Sequence, residues 1–131
     1  MKRQPKVGDA GSVTFTVEQL HTIDIANDAK LVVLSTPSLI WFLEHAARDA
    51  LAALLEPGET SVGISVDVEH LAATPLGHEV VCRARVVHVD RAVISFQISA
   101  EDRHETIARG VHKRRVVSTD RFNAYVRKKV I

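Results

Sequence analysis

Ser61-Val62-Gly63-Ile64-Ser65-Val66-Asp67-Val68-Glu69-His70, followed by Leu71-Ala72-Ala73-Thr74-Pro75-Leu76-Gly77, is the stretch from which the fold is read. Apolar and polar residues alternate with period two, as in a half-buried strand, and the strand delivers a histidine to its end just before a Thr-Pro-x-Gly turn. Upstream, Ser35-Thr36-Pro37-Ser38-Leu39-Ile40-Trp41-Phe42-Leu43-Glu44 opens a strongly apolar helix with one carboxylate in its middle. Thr36 or Ser35 can cap it, Pro37 sits near the first position where a missing N–H costs nothing, and Pro57-Gly58 ends it. The helix is predicted over about residues 37–55. Its apolar residues surround most of the circumference, so it is expected to be central and largely enclosed.

Residues 11–18 alternate as a first strand, and residues 21–30 read as a loop or short irregular cover. Four strands are predicted after the helix, over about residues 60–70, 78–89, 92–102 and 105–117. Val62, Ile64, Val66 and Val68, then Val80, Cys82, Ala84 and Val86, then Ala92, Ile94, Phe96 and Ile98 each fall on one face, as in an antiparallel sheet with one side on a core. Asp90-Arg91 and Asp102-Arg103 mark hairpin turns. One long apolar helix against such a sheet is an α+β arrangement. From Thr119 on, Asp120 is a cap candidate, and Phe122, Tyr125, Val126 and Val130 have helical spacing, so residues 119–131 read as a short amphipathic tail.

With 131 residues the chain reads as one domain with a flexible start over about residues 1–10, able to bury about two-thirds of its unfolded surface. Charged residues are 25% of the chain, and 17 basic against 16 acidic side chains leave +1, so no large field favours nucleic acid or a membrane. One cysteine, Cys82, excludes an internal disulfide framework and any multi-cysteine metal site, and its inward parity reads as core. No metal-ligand spacing joins His21, His78, His88 and His104. The basic start has no apolar run behind it and no segment reaches about 20 apolar residues, so a soluble, cytoplasmic protein is expected.

A strand, a buried helix and a four-strand meander follow one another in the order of the hotdog fold. Over roughly residues 31–129 the sequence resembles the single-domain hotdog acyl-CoA thioesterases, most closely the fluoroacetyl-CoA thioesterase-like group. The resemblance rests on Ser35-Thr36 ahead of a helix containing Glu44, on Leu55-Glu56-Pro57-Gly58-Glu59, on Gly63, and on His70 followed by Ala72-Ala73-Thr74-Pro75. It extends to Gly110-Val111-His112-Lys113-Arg114 and to Phe122-Asn123-Ala124 with Val126-Arg127. It implies hydrolysis of an acyl-CoA thioester by a catalytic set that falls on Thr36, Glu44 and His70, with substrate contacts on Gly63 and Arg114. No cofactor is implied, coenzyme A being part of the substrate, and a homodimer or higher homo-oligomer is expected. The group's specialist carries an aromatic lid between first strand and helix. Here Asp24-Ile25-Ala26-Asn27-Asp28-Ala29-Lys30-Leu31 is shorter and has no aromatic residue, so the resemblance implies thioester hydrolysis without implying fluoroacetyl selectivity.

The chemistry fits these residue types. A carboxylate in an apolar helix is partly desolvated and suits a general base or covalent nucleophile. A histidine can orient water and protonate a departing thiolate near neutral pH, and a glycine lets the thioester approach the backbone. Thr36 and Glu44 are eight residues apart, about 12 Å along a continuous helix, so either the helix starts late or bends or the site is shared across a dimer. Each residue also has a plainer reading: Glu44 as half of an i,i+4 pair with Arg48, Thr36 as a cap, His70 bonded to its turn, Gly63 as a bulge, and His45 paired with Asp49. Two other functions remain open at this point: a hotdog dehydratase acting on an acyl thioester, and an acyl-CoA-binding module without turnover.

Overall fold

The computed structural model describes residues 1–130. Its main sheet has five antiparallel strands in the order β1-β5-β6-β7-β4, where β1 is Ala10–Thr16, β4 Glu59–His70, β5 Glu79–Asp90, β6 Val93–Glu101 and β7 Thr106–Ser118. Tight turns join β5, β6 and β7 in an antiparallel meander, whereas β4 pairs with β7 at the sheet edge instead of with β5, so the four-strand meander expected from the sequence holds for three strands only. Arg91 takes a positive φ in the β5–β6 hairpin, and Asp102 caps the β6–β7 turn by accepting from the His104 and Glu105 amides. A 3-10 turn, Gln19–His21, leads into the stretch read as loop or cover, which contains a two-residue strand β2, Thr22–Ile23, paired with β3, Val33–Leu34.

Helix α1 is Thr36–Ala52, with Ser35 as its cap: the Ser35 hydroxyl accepts from the Ser38 amide, and Pro37 lies in the first turn. It lies mainly over β1 and β5. Gly11 makes that contact possible, because a Cβ there would collide with the Ala46 carbonyl and the Ala50 backbone. The buried stripe is Leu39, Leu43, Ala46, Ala47, Ala50 and Leu51, packed on Val80, Cys82, Ala84, Val86, Ile94, Phe96 and Ile98 of the sheet. Each fully buried leucine contributes about 2 kcal/mol of transfer free energy.

Several expectations are corrected. The helix is not enclosed all round: Trp41 is 59% exposed, because the sheet covers one side only. On β4, Ile64 and Val66 are exposed rather than core, because this strand is a sheet edge that α1 barely reaches and its register with β7 shifts between Gly63 and Ser65. The start expected to be flexible is tied down: the Lys2 amide donates to Leu54 O at 2.7 Å, and the N-terminal ammonium lies 2.8 Å from Glu59. The tail forms α2, Thr119–Arg127, capped by Ser118 rather than Asp120, and it buries none of its residues. Ile131 lies outside the described residues. No helix among the described residues is long and apolar enough to cross a membrane.

Candidate active site

The two residues brought to the strand mouth are Thr36 and His70. Thr36 opens α1, His70 closes β4, and Thr36 Oγ1 lies 2.8 Å from His70 Nδ1. The ring is half-buried, and its Nε2 is buried without a hydrogen bond. Burial holds the imidazole below the ordinary histidine range, opposed by the Ala72 backbone. The lowered value favours the neutral imidazole near pH 7.

Glu44 is elsewhere. Helix α1 starts at Thr36 and continues unbroken past Glu44, so about 12 Å of helix separates them. That excludes the late start or bend left open above. Glu44 Oε2 instead meets Arg114 Nη1 at 3.3 Å and lies 3.9 Å from His112 Nε2. The carboxylate therefore turns to the sheet and not to Arg48. The pair expected of His45 and Asp49 is also replaced: His45 Nδ1 bonds the Trp41 carbonyl, and Asp49 accepts the Ser12 amide of edge strand β1.

Arg114, placed by the resemblance among the substrate contacts, is 4% exposed, with its guanidinium engaged inside the protein. Nε donates to Ser61 Oγ and Nη2 to the Ser61 carbonyl, both at 2.9 Å, while Nη1 is shared between Glu44 and His112 Nε2 at 3.1 Å. His112 is fully buried, with Nδ1 2.8 Å from the Ser65 carbonyl. A carbonyl only accepts, so Nδ1 carries the hydrogen and Nε2 is left to accept from Arg114. Burial pushes His112 below the ordinary range, and the Arg114 charge adds to that, against the Ser65 carbonyl and Glu44. Burial likewise pulls Arg114 down, with Glu44 opposing it. The result is a satisfied buried fork that fixes one oxygen of a part-exposed carboxylate.

Gly63 faces this cluster. A Cβ there would lie 2.6 Å from Glu44 Oε2, so the glycine is both the bulge and the gap into which the carboxylate fits. His112 and Ser61 carry no role in the sequence reading, yet both bond Arg114. The signal was parity: Ala108, His112, Arg114 and Val116 share the inward face of β7. Cys82 is core, and burial pushes its thiol up to about 12.

The sequence model describing a fluoroacetyl-CoA-specific thioesterase matches residues 17–120. A fluoroacetyl-CoA thioesterase from Streptantibioticus cattleyicolor is 39% identical over 97 residues, covering 74% of this chain and 70% of that protein. The chain belongs to this family of thioester hydrolases. A mutant of the fluoroacetyl-CoA thioesterase FlK, solved in complex with acetyl-CoA, superposes with a TM-score of 0.88 at 32% identity, over 96% of this chain and 99% of that one. A hot-dog-like protein from Thermanaerovibrio acidaminovorans matches with a TM-score of 0.82 at 28% identity, over 94% and 91% of the two chains. The α+β architecture is thus that of the hotdog thioesterases. Among the described residues, no group of three or more His, Cys, Asp or Glu side chains is arranged to hold a metal ion.

Proposed function

We propose that this chain hydrolyses a small or medium acyl-CoA thioester to the free acid and coenzyme A, with Glu44 as base or nucleophile and Thr36 and His70 completing the set from the second protomer of a homodimer. The observation that carries the shared site is the separation of the two half-sites within one protomer: Thr36 bonds His70 at one end of an unbroken helix, and Arg114 holds Glu44 two turns further on. Strand β4 is a sheet edge bearing exposed Ile64 and Val66, whereas the other edge, β1, is covered where Asp49 accepts the Ser12 amide. Two β4 edges paired antiparallel about a two-fold between Val66 and Asp67 bring Gly63 of one protomer opposite His70 of the other. Glu44, seated on Gly63, then faces the other protomer's Thr36–His70 pair.

In that arrangement Glu44 adds to the thioester carbonyl carbon itself or takes a proton from the water that does. When water adds, the C–S bond breaks, the free acid forms and the proton that Glu44 took from the water passes to the coenzyme A thiolate; when Glu44 adds, thiolate leaves first and a mixed anhydride remains, which water then cleaves to the free acid and the Glu44 carboxylate, His70 carrying the water's proton to the thiolate. Thr36 holds the imidazole and the reacting oxygen in line, and Arg114 keeps the carboxylate aimed.

The test is complementation. His70→Asn and Glu44→Gln variants, each assayed by thiol release from acyl-CoA, are each expected to lose turnover. Mixing and re-equilibrating them regenerates roughly a quarter of the natural rate, since half the dimers are mixed and one of their two sites is whole. Two inactive variants that stay inactive when mixed would place the whole set within one protomer.

A further inference from the structure

We infer that the apolar hollow beside the Thr36–His70 pair is the acyl-chain subsite and takes a neutral aliphatic acyl group of about four to eight carbons in preference to acetyl or fluoroacetyl. This inference rests on the thioesterase reading above.

The hollow, about 420 Å³, is bounded by Ile23 of β2, Val33 of β3, Ile25 and Leu71, with Thr36 and His70 at its inner wall. Ile23, Ile25 and Leu71 are 48%, 71% and 45% exposed. A lone exposed aliphatic residue needs no explanation, but three around one concavity beside the proposed reacting groups mark a binding surface. Pairing of Ile23 with Val33 fixes the wall relative to the start of α1.

Charge and size narrow the occupant. Apart from His70 the hollow is lined by no ionisable side chain, so an acyl group ending in a carboxylate would bury its charge without a partner. It is lined by no aromatic ring besides that imidazole, so aryl groups gain no stacking. At about 30 Å³ per non-hydrogen atom, a water's share of the liquid, the enclosed volume would hold roughly fourteen atoms; being open on one side it seats about half of those. A two-carbon acyl group would leave most of the aliphatic wall wet.

The experiment is a chain-length series of thiol-release kcat/KM values on acetyl-, fluoroacetyl-, butyryl-, hexanoyl- and succinyl-CoA. Full burial of a methylene is worth about fourfold, so hexanoyl-CoA is expected to exceed acetyl-CoA at least tenfold, with succinyl-CoA below butyryl-CoA. Ile25→Asp, at an exposed position that the fold tolerates, is expected to flatten the hexanoyl-to-acetyl ratio. Acetyl- or fluoroacetyl-CoA equalling or exceeding hexanoyl-CoA would overturn the inference while leaving hydrolysis intact, and would indicate that a partner copy covers the hollow instead. Absence of turnover on every ester would sink the hydrolysis reading. The subsite would still be decided by calorimetric affinities of S-ethyl- and S-hexyl-coenzyme A: tighter hexyl binding upholds it, equal binding refutes it.

Discussion

Replacing Gly63 by alanine isolates the positioning of Glu44 from the integrity of the fold. The new methyl would lie 3.3 Å from His112 Cε1 and 3.4 Å from Arg114 Nη1, tight but tolerable, and 2.6 Å from Glu44 Oε2, which is not. The carboxylate ends a flexible side chain that is 33% exposed, so it yields before the backbone does, retreating about 0.8 Å to reach ordinary contact. Its separation from Arg114 then grows from 3.3 Å to about 4.1 Å, weakening their attraction by about 1 kcal/mol at an effective dielectric near 20. The backbone at Gly63 is not in the left-handed region, so alanine also removes freedom from the unfolded chain, a gain of about 0.4–1 kcal/mol that offsets the loss. Net stability therefore changes little and Tm moves by no more than about 4 °C. Turnover should suffer far more, because a reacting group misplaced by about 1 Å can cost on the order of a hundredfold. Steady-state thiol release is expected to show kcat down about 10- to 100-fold with KM little changed. Undiminished kcat in a folded Gly63→Ala protein would refute the claim that the bare glycine seats the catalytic carboxylate.

Two other outcomes follow from buried groups. Burial holds both His70 and His112 below the ordinary histidine value of about 6.5, so in acid the unfolded chain binds more protons than the folded one. Their contribution to stability is complete above about pH 6.5 and is lost as pH falls through their lowered values; urea midpoints that increase on acidification from pH 7.5 to 5.5 would contradict this. Cys82 is fully buried with its thiol pushed up to about 12, so the native protein should be inert to a chromogenic thiol reagent and release one equivalent only on unfolding. Rapid stoichiometric labelling of the native chain would disprove that burial.

Elements with a strong local period were legible in the sequence. The four post-helix strands end within a residue or two of their predicted bounds, because alternation on β5 and β6 reports a face that is buried in the protomer: Val80, Cys82, Ala84 and Val86 opposite Ile94, Phe96 and Ile98. The same alternation on β4 misled, since Ile64 and Val66 obey the period yet lie in the open. Periodicity marks which residues seek burial, and it is silent on whether their own chain supplies the cover. The apolar circumference of α1 misled in the same way, with Trp41 left on the side away from the sheet.

The eight-residue spacing made the distance between Thr36 and Glu44 legible, but not the partner that Glu44 takes, because that partner lies far along the chain. Glu44 and Arg48 satisfy the local rule for a helix pair, worth about 0.3–0.5 kcal/mol when exposed. Arg114 offers Glu44 a partner already fixed by two bonds to Ser61 and one to His112, so the entropy of ordering the guanidinium is met by the β4–β7 register rather than by the ion pair. A preordered cation in a low-dielectric setting outcompetes a mobile surface one for the same carboxylate. That preference draws Glu44 against Gly63 instead of toward Arg48. The buried fork thus fixes the carboxylate at a point two helical turns from the Thr36–His70 pair.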